Sequence, residues 1–176
     1  MAPLLGADGA IGRLVAPFVA GACRPVRVIL FDKSAAANWA LGWHQDRVIA
    51  VEARHDVPGF GPWTMKSGLC HVRPPFDLLA RMVTARIHLD PVDTGNAPLL
   101  VAPGSHRLGP IAEPDIEAVV ARCGTLTCTA DAGDVWLYAT PVLHGSPAAR
   151  VVARRRVLHV DYAGEDLPAP LRWLMP

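Results

Sequence analysis

The amino-acid sequence predicts a mainly β protein of the jelly-roll or barrel type, because residues that interrupt helices and strands occur along its whole length. Seventeen prolines and fifteen glycines are spread along the 176 residues. Each of them tends to end a strand or a helix, so the chain should consist of many short elements joined by turns. The side chains are 51% apolar, which is enough to bury one substantial core, and the length suits a single domain over residues 1–176.

The first half of the chain predicts a helix followed by several strands. Ile11, Leu14, Val15 and Phe18 recur at helical spacing, which predicts a helix over residues 9–19 with Asp8 as its N-cap. Runs of β-branched and apolar residues predict strands over residues 26–31 and 48–53, and a strand between them that carries His44 and Asp46. A hairpin over residues 63–72 and a short helix over residues 76–82 follow.

The second half of the chain predicts five further strands and one helix. The strands lie over residues 82–89, 99–102, 124–130, 135–138 and 154–162. Residues 111–120 are mildly amphipathic and predict the helix. Acidic residues lie near its start, where a helix dipole stabilises negative charge: Glu113, Asp115 and Glu117.

The near-neutral charge argues against a nucleic acid or an anionic membrane surface as partner. The chain has 17 Lys+Arg against 16 Asp+Glu, which gives a formal charge of +1. A basic excess, which would attract a polyanion, is therefore missing. We expect a small neutral or anionic molecule as the partner.

Neither a membrane span nor a signal peptide is predicted. The apolar run over residues 10–22 is short and is interrupted by Arg13 and Pro17, and the N-terminus lacks the basic segment of a signal peptide. The cysteines form no CxxC pair, which suits free thiols in a reducing compartment. A cytoplasmic protein is therefore expected, with four scattered cysteines: Cys23, Cys70, Cys123 and Cys128.

The segment Trp43-His44-Gln45-Asp46 pairs an imidazole with a carboxylate two residues apart. In a β-strand such side chains point to the same face, while Gln45 points to the other. His44 and Asp46 can then hold one metal ion. Non-haem Fe(II) oxygenases use two histidines and one carboxylate on one face of the metal, so a third ligand must come from elsewhere. A hydrogen-bonded His–Asp pair is the simpler interpretation of this motif taken alone.

The last predicted strand alternates between two kinds of side chain. Leu158, Val160 and Tyr162 share one face and can pack outward under a layer of helices. On the other face, Arg155 and His159 would point into a cavity. Arg154 and Arg156 fit a solvated charge cluster, so Arg155 is the one arginine of this run that is expected to have a specific ligand.

Five segments, taken in order, resemble the phytanoyl-CoA dioxygenase family of Fe(II)/2-oxoglutarate oxygenases. The resemblance covers roughly residues 26–163, and the combination is far more specific than any one segment. The segments are WHQD at 43–46, NAPLLVAPGSH at 96–106, GDV at 133–135, LHGS at 143–146 and RRVLHVDY at 155–162.

The resemblance implies a double-stranded β-helix, which is a cupin-like jelly roll with a few flanking α-helices, and it implies roles for several residues. His44, Asp46 and His144 would bind Fe(II). Arg155, eleven positions after His144, would pair with the distal carboxylate of the cosubstrate 2-oxoglutarate, as a planar guanidinium can do in bidentate fashion. Four further residues near these positions are weaker candidates for cosubstrate binding, and for each of them packing is the simpler interpretation: Thr84, Arg86, Asn38 and Lys33.

The implied activity is hydroxylation of a small-molecule C–H bond by molecular oxygen, with decarboxylation of 2-oxoglutarate to succinate. Asp46 supports hydroxylation, because halogenating relatives lack this carboxylate. Two alternatives stay open: a cupin-like metalloenzyme that does not use 2-oxoglutarate, and a catalytically silent jelly roll that acts as a binding module. Larger family members carry additional segments around the substrate, so the cofactor site should transfer better than the substrate.

Overall fold

The computed structural model describes residues 2–151 and 153–175, and within them the chain forms eleven strands and four α-helices. The strands are β1 (Arg24–Lys33), β2 (Leu41–His44), β3 (Ile49–Val51), β4 (Trp63–Lys66), β5 (Leu69–Val72), β6 (Val83–His88), β7 (Leu99–Val101), β8 (Leu126–Cys128), β9 (Val135–Ala139), β10 (His144–Ser146) and β11 (Arg155–Ala163). The helices are α1 (Ala2–Leu5), α2 (Ala10–Val15), α3 (Phe76–Ala80) and α4 (Ile116–Cys123).

Two four-stranded antiparallel sheets form the body of the fold. The first has the order β1-β11-β6-β9 and the second has the order β2-β10-β7-β8. A smaller sheet, β3-β5-β4, contains the predicted hairpin. The crossovers between sheets are those of a jelly roll, so the mainly β fold predicted from the sequence is confirmed.

Strand β11 lies inside the first sheet, where it pairs with β1 on one side and β6 on the other. Its outward face carries Val160 and Tyr162, which are fully buried under the N-terminal helices. Arg155 and His159 lie on the opposite face and line a cavity. This is the alternation expected from the sequence, and it follows from the period of two along a strand.

The N-terminal segment departs from the single helix that the sequence predicts. Helix α2 ends at Val15 and a 3₁₀ turn, Ala16–Phe18, follows. Pro17 explains the change, because a proline inside an α-helix lacks a backbone N–H and clashes with the preceding turn. The predicted cap is wrong as well: Gly9 occupies the N-cap position and no side chain caps the helix.

Most other elements are shorter than predicted at one or both ends. The strand that carries His44 ends at that residue, so Asp46 lies beyond it. The helix predicted over residues 111–120 begins later, as α4, because the 3₁₀ turn Glu113–Asp115 contains Pro114 and precedes it. The predicted strands over residues 99–102 and 124–130 are each reduced to three residues.

His88, the last residue of β6, is buried with neither ring nitrogen hydrogen-bonded to any described residue. Burial lowers the pKa of His88 to about 4, and the positive charges of Arg86 and Arg155 act in the same direction. The imidazole is therefore neutral at pH 7. In the unfolded chain a histidine has a pKa of about 6.5.

We expect the free energy of unfolding to fall as the pH drops from about 6.5 to about 4, because the unfolded chain then binds a proton that folded His88 cannot. The pKa difference corresponds to roughly 3 kcal/mol. His88→Leu should therefore lose less stability than the wild type between pH 7 and pH 4 in urea denaturation of the metal-free protein. His55→Leu, at an exposed histidine, is the matched control. An unchanged pH slope in His88→Leu would contradict this assignment.

A second prediction concerns the contact between β11 and α1. Tyr162 is fully buried and its hydroxyl donates a hydrogen bond to the carbonyl of Leu5 at 3.0 Å. Tyr162→Phe leaves that carbonyl unpaired and should reduce the free energy of unfolding by about 1–2 kcal/mol. Tyr138→Phe is the control, since the buried hydroxyl of Tyr138 has no partner among the described residues. Equal losses in the two variants would show that the contact with α1 contributes nothing.

Candidate metal centre and cosubstrate cavity

A cavity of about 190 Å³ lies between the two larger sheets. Strands β1, β6 and β11 of the first sheet supply most of its charged side chains, and β2, β7 and β10 of the second supply two histidines and apolar contacts. Its lining residues are Arg27, Ile29, Phe31, Lys33, Trp39, Leu41, His44, Asp46, Arg86, Leu99, His144, Gly145, Ser146, Arg155 and His159.

His44, Asp46 and His144 meet on one wall of this cavity. One potential ligand atom of each residue lies within 4.8 Å of those of the other two. The two imidazole rings are 4.3 Å apart between centroids, and Nε2 of His144 is 3.9 Å from Oδ2 of Asp46. This is the one group of three or more metal-binding side chains found among residues 2–151 and 153–175.

Hydrogen bonds fix the tautomer of both histidines. Nδ1 of His44 lies 2.8 Å from the carbonyl oxygen of Gly42, and Nδ1 of His144 lies 2.9 Å from that of Val142. A carbonyl oxygen only accepts, so each Nδ1 carries the proton and each Nε2 presents a lone pair. Outer hydrogen bonds of this kind orient metal-binding histidines. The donor set of two imidazoles and one carboxylate suits Fe(II) and leaves further coordination positions open.

Burial keeps His144 in the neutral form that binding to a metal requires. It lowers the pKa of His144 to about 4, against the opposing effect of the Asp46 carboxylate. At pH 7 the lone pair on Nε2 is therefore free.

Gln45 lies between His44 and Asp46, and its side chain binds two loops. Its side-chain amide donates to the carbonyls of Gly109 and Pro141, at 3.1 and 2.9 Å, and its oxygen accepts from the N–H of Ile111 at 2.9 Å. Pro141 lies three residues before His144, so Gln45 connects the His-x-Asp segment to the loop that precedes the second histidine. The two ligands at 44 and 46 are thus brought together by the end of β2 and the anchored irregular segment that follows it, and not by a continuous strand as the sequence predicted.

Arg155 is 2% exposed, and its Nε and one terminal nitrogen have no hydrogen-bond partner among the described residues. Burial lowers the pKa of Arg155 to about 10, with a further contribution from the charge of Arg86. The guanidinium therefore stays positively charged at neutral pH. A buried cation with free donors that faces a cavity is suited to bind an anion.

Lys33 lies opposite Arg155 in the β1–β11 ladder and also lines the cavity. Its ammonium group donates to the Ser146 hydroxyl at 3.2 Å and to the Pro147 carbonyl at 3.1 Å. Burial lowers the pKa of Lys33 to about 8, and the charges of Arg155 and Arg86 add to this effect. Lys33 is still mainly protonated at pH 7, so two cations lie side by side at this end of the cavity.

The three remaining candidates lie in different surroundings. Arg86 lines the cavity, with its guanidinium carbon 5.4 Å from the ring centre of Phe31. Thr84 does not reach the cavity, because its hydroxyl is bonded to Asp161 at 2.8 Å and lies 3.0 Å from that of Thr140. Asn38 is exposed, and its side chain forms two hydrogen bonds with the backbone of Ala149. Contacts within the protein thus occupy Thr84 and Asn38.

Sequence reasoning missed several residues that line the cavity from β1. Arg27, Ile29 and Phe31 share one face of this strand with Lys33. The alternation along the strand could have identified them, since residues two apart point to the same side. A bulge between Pro25 and Arg27 shifts the register at the start of the strand, where alternation alone gives no warning.

His159 and Asp161 form a buried pair at the back of the cavity. Nε2 of His159 lies 3.0 Å from the Asp161 carboxylate, which also accepts from Thr84 and lies 3.4 Å from Arg27. Burial alone would raise the pKa of Asp161, but His159 and Arg27 outweigh it and the pKa falls below its ordinary value. Nδ1 of His159 has no partner among the described residues.

Two wider features accompany this site. The four cysteines are free thiols, of which Cys23 and Cys128 are buried and the others half-buried. None of the helices found in residues 2–151 and 153–175 has the length and apolar character that crossing a membrane requires.

Comparison with solved structures identifies several proteins of the same fold. AviO1 from Streptomyces viridochromogenes Tue57 matches with a TM-score of 0.61 and 23% identity, over 90% of this chain and 58% of that one. EctD from S. alaskensis, in its apoform and with bound Fe, gives 0.67 and 22%, over 97% and 55%. HygX from Streptomyces hygroscopicus, with nickel and 2-oxoglutarate bound, gives 0.54 and 17%, over 86% and 61%.

The chain is much shorter than these proteins, since it spans between 55% and 61% of their lengths. Comparison with curated proteins gave no significant match. The family model of phytanoyl-CoA dioxygenase (PhyH), however, matches residues 8–157. That range contains His44, Asp46, His144 and Arg155 and most of the chain, which therefore belongs to the phytanoyl-CoA dioxygenase family.

Proposed function

We propose that this protein is an Fe(II)- and 2-oxoglutarate-dependent oxygenase that hydroxylates a C–H bond of a small molecule. One observation carries the proposal: three potential metal ligands and a buried arginine with unpaired donors face the same cavity. Family membership supports the class of enzyme. This chemistry requires both parts in one cavity: a site for the metal ion, and a cation that binds the distal carboxylate of 2-oxoglutarate.

In this proposal His44, Asp46 and His144 hold Fe(II). Both imidazoles present Nε2 because their Nδ1 atoms donate to backbone carbonyls. The Asp46 carboxylate would be the third ligand, and a set of three protein ligands would leave coordination positions for cosubstrate and oxygen. Gln45 fixes the segment that carries His44 and Asp46 relative to the loop before His144, through its hydrogen bonds to the carbonyls of Gly109 and Pro141.

Arg155 binds the distal carboxylate of 2-oxoglutarate, and Lys33 beside it adds a second positive charge. The arginine is buried on the first sheet, and the metal ligands lie across the cavity on the second sheet. A short dicarboxylate can therefore bridge the cavity between them. Bound together, Fe(II) and 2-oxoglutarate supply the oxidising chemistry, in which molecular oxygen is consumed and 2-oxoglutarate yields succinate. The protein contributes orientation and exclusion of water.

A small-molecule substrate is part of the proposal. HygX has been solved with nickel, 2-oxoglutarate and hygromycin B bound, so this fold can accept a second small molecule beside the cosubstrate. Trp39 and Leu41, which line the cavity of this chain, are both exposed. A substrate can approach from the side of these two residues.

The test of the proposed function is anaerobic addition of Fe(II) and then 2-oxoglutarate to metal-free protein. A weak visible charge-transfer band should appear only when both are present, because it arises from cosubstrate chelated to the metal. His144→Ala should abolish the band and the bound iron while the melting temperature changes little, since the ligands line a cavity. Iron binding without any spectral response to 2-oxoglutarate would favour a cupin-like metalloenzyme, and failure to bind iron would favour a silent binding module.

A sharper prediction separates Arg155 from its two neighbours. Arg155→Ala should weaken 2-oxoglutarate binding by about 30-fold to several-thousand-fold, which corresponds to roughly 2–5 kcal/mol for a desolvated pair that loses one partner. Iron binding should survive. The dissociation constant of 2-oxoglutarate, measured from the intensity of the band, decides the matter.

Arg154→Ala and Arg156→Ala are matched controls, because these side chains pair outside the cavity with Asp32 and Asp90. Both should leave the affinity for 2-oxoglutarate nearly unchanged. Equal losses at all three positions would mean that only the overall charge of the strand matters.

A further inference from the structure

The side chains of the cavity carry an excess of positive charge that a divalent metal ion and 2-oxoglutarate, bound together, do not neutralise. Arg27, Lys33, Arg86 and Arg155 line it or contact its wall, against two carboxylates, those of Asp46 and Asp161. Four cations against two anions leave an excess of two positive charges. A divalent metal ion and doubly charged 2-oxoglutarate cancel each other, so this excess persists in the loaded site.

The surplus is concentrated at Arg86. This side chain is 5% exposed, and its Nε has no hydrogen-bond partner among the described residues. No carboxylate of residues 2–151 or 153–175 pairs with it, whereas Arg27 pairs with Asp161. A buried guanidinium that lacks a counter-ion is costly to the fold, and a bound anion would relieve that cost.

His159 adds a second unpaired polar atom beside Arg86. The two residues are directly opposite each other in the β6–β11 ladder. Nε2 of His159 donates to the Asp161 carboxylate, which orients the ring, and Nδ1, which has no partner among the described residues, is left to accept a hydrogen bond from a hydroxyl group of a ligand. The donors for an anion come from Arg86. Arg86 and His159 therefore form a polar subsite, which we call the Arg86 subsite.

The backbone positions of the Arg86 subsite differ from those of the pair proposed to bind the cosubstrate, although all of these side chains line one cavity. Arg155 lies opposite Lys33, and His159 lies opposite Arg86, four residues further along β11. At about 3.3 Å per residue the two backbone positions are about 13 Å apart. The Phe31 ring lies next to both Arg86 and His159.

We propose that the substrate of this oxygenase is an anion and that the Arg86 subsite binds its carboxylate or phosphate group. The inference rests on the proposed function, because it assigns to the substrate the charge that metal and cosubstrate leave over. A planar guanidinium binds either group through paired hydrogen bonds. The anionic group of the substrate thus anchors the molecule while the carbon to be hydroxylated faces the metal ligands.

The test uses protein loaded anaerobically with Fe(II) and saturating 2-oxoglutarate, titrated by calorimetry with butyrate, ethyl phosphate and neutral butyramide. At least one anion should bind about tenfold or more tightly than butyramide. The two anions distinguish a carboxylate from a phosphate as the preferred group. Similar affinities for all three molecules would overturn the proposal, as would loss of the charge-transfer band on adding an anion, because that anion would simply be displacing 2-oxoglutarate.

Variants then locate the site. Arg86→Met should weaken the preferred anion by about tenfold or more, and Arg86→Lys, which keeps the charge, should recover part of that affinity. Arg122→Met, at an exposed arginine outside the cavity, should behave like the wild type. If Arg86→Met weakens 2-oxoglutarate as strongly as Arg155→Ala does, Arg86 belongs to the cosubstrate site and the proposal fails.

Wild-type protein that binds Fe(II) but never binds 2-oxoglutarate would refute the proposed function. Protein that binds 2-oxoglutarate but prefers no anion would refute only the Arg86 subsite. Should Arg86→Met not fold, as judged from its melting curve, the comparison of anions with butyramide in the wild type and in Arg86→Lys still decides.

Discussion

The burial of several cations on the inner face of one sheet is the constraint on which the rest of this structure depends. Lys33, Arg86 and Arg155 are each at most 5% exposed, yet they face a cavity and not an apolar core. Removing charges from water costs several kcal/mol each unless partners compensate. The outer face of the same sheet offsets this cost by burying apolar side chains, among them Val160 and Tyr162 under the N-terminal helices.

The two larger sheets divide the chemistry between them. One supplies the cationic side chains, and the other, with the irregular segment after β2, supplies the histidines and the carboxylate. Their relative position must be fixed to within a fraction of an ångström for a metal ion and a bridging dicarboxylate to fit. Lys33 is a direct physical link between the sheets, because its ammonium group on β1 donates to the hydroxyl of Ser146 on β10. Within the second sheet, Gln45 joins the segment that carries His44 and Asp46 to the loop that precedes His144.

The sequence predicted the fold class and the inward face of β11 because both follow from short-range periodicity. It could not predict that β2 ends at His44, since the position of Asp46 is set by the hydrogen bonds of Gln45 to distant loops. Thr84 was on the correct face but bonds to Asp161, a partner 77 residues away. Tertiary contacts of this length leave no signal in local pattern.

The excess of positive charge in the cavity is accompanied by several buried nitrogen atoms that have no hydrogen-bond partner. Arg86, Arg155 and His159 all carry nitrogens without partners among the described residues, and such groups weaken a fold unless something binds them. A ligand that binds only the folded state adds to its stability in proportion to the logarithm of its concentration over its dissociation constant. An anion that binds to these side chains would therefore add to the stability of the folded protein, which fits the proposal that they select the molecule that enters the cavity.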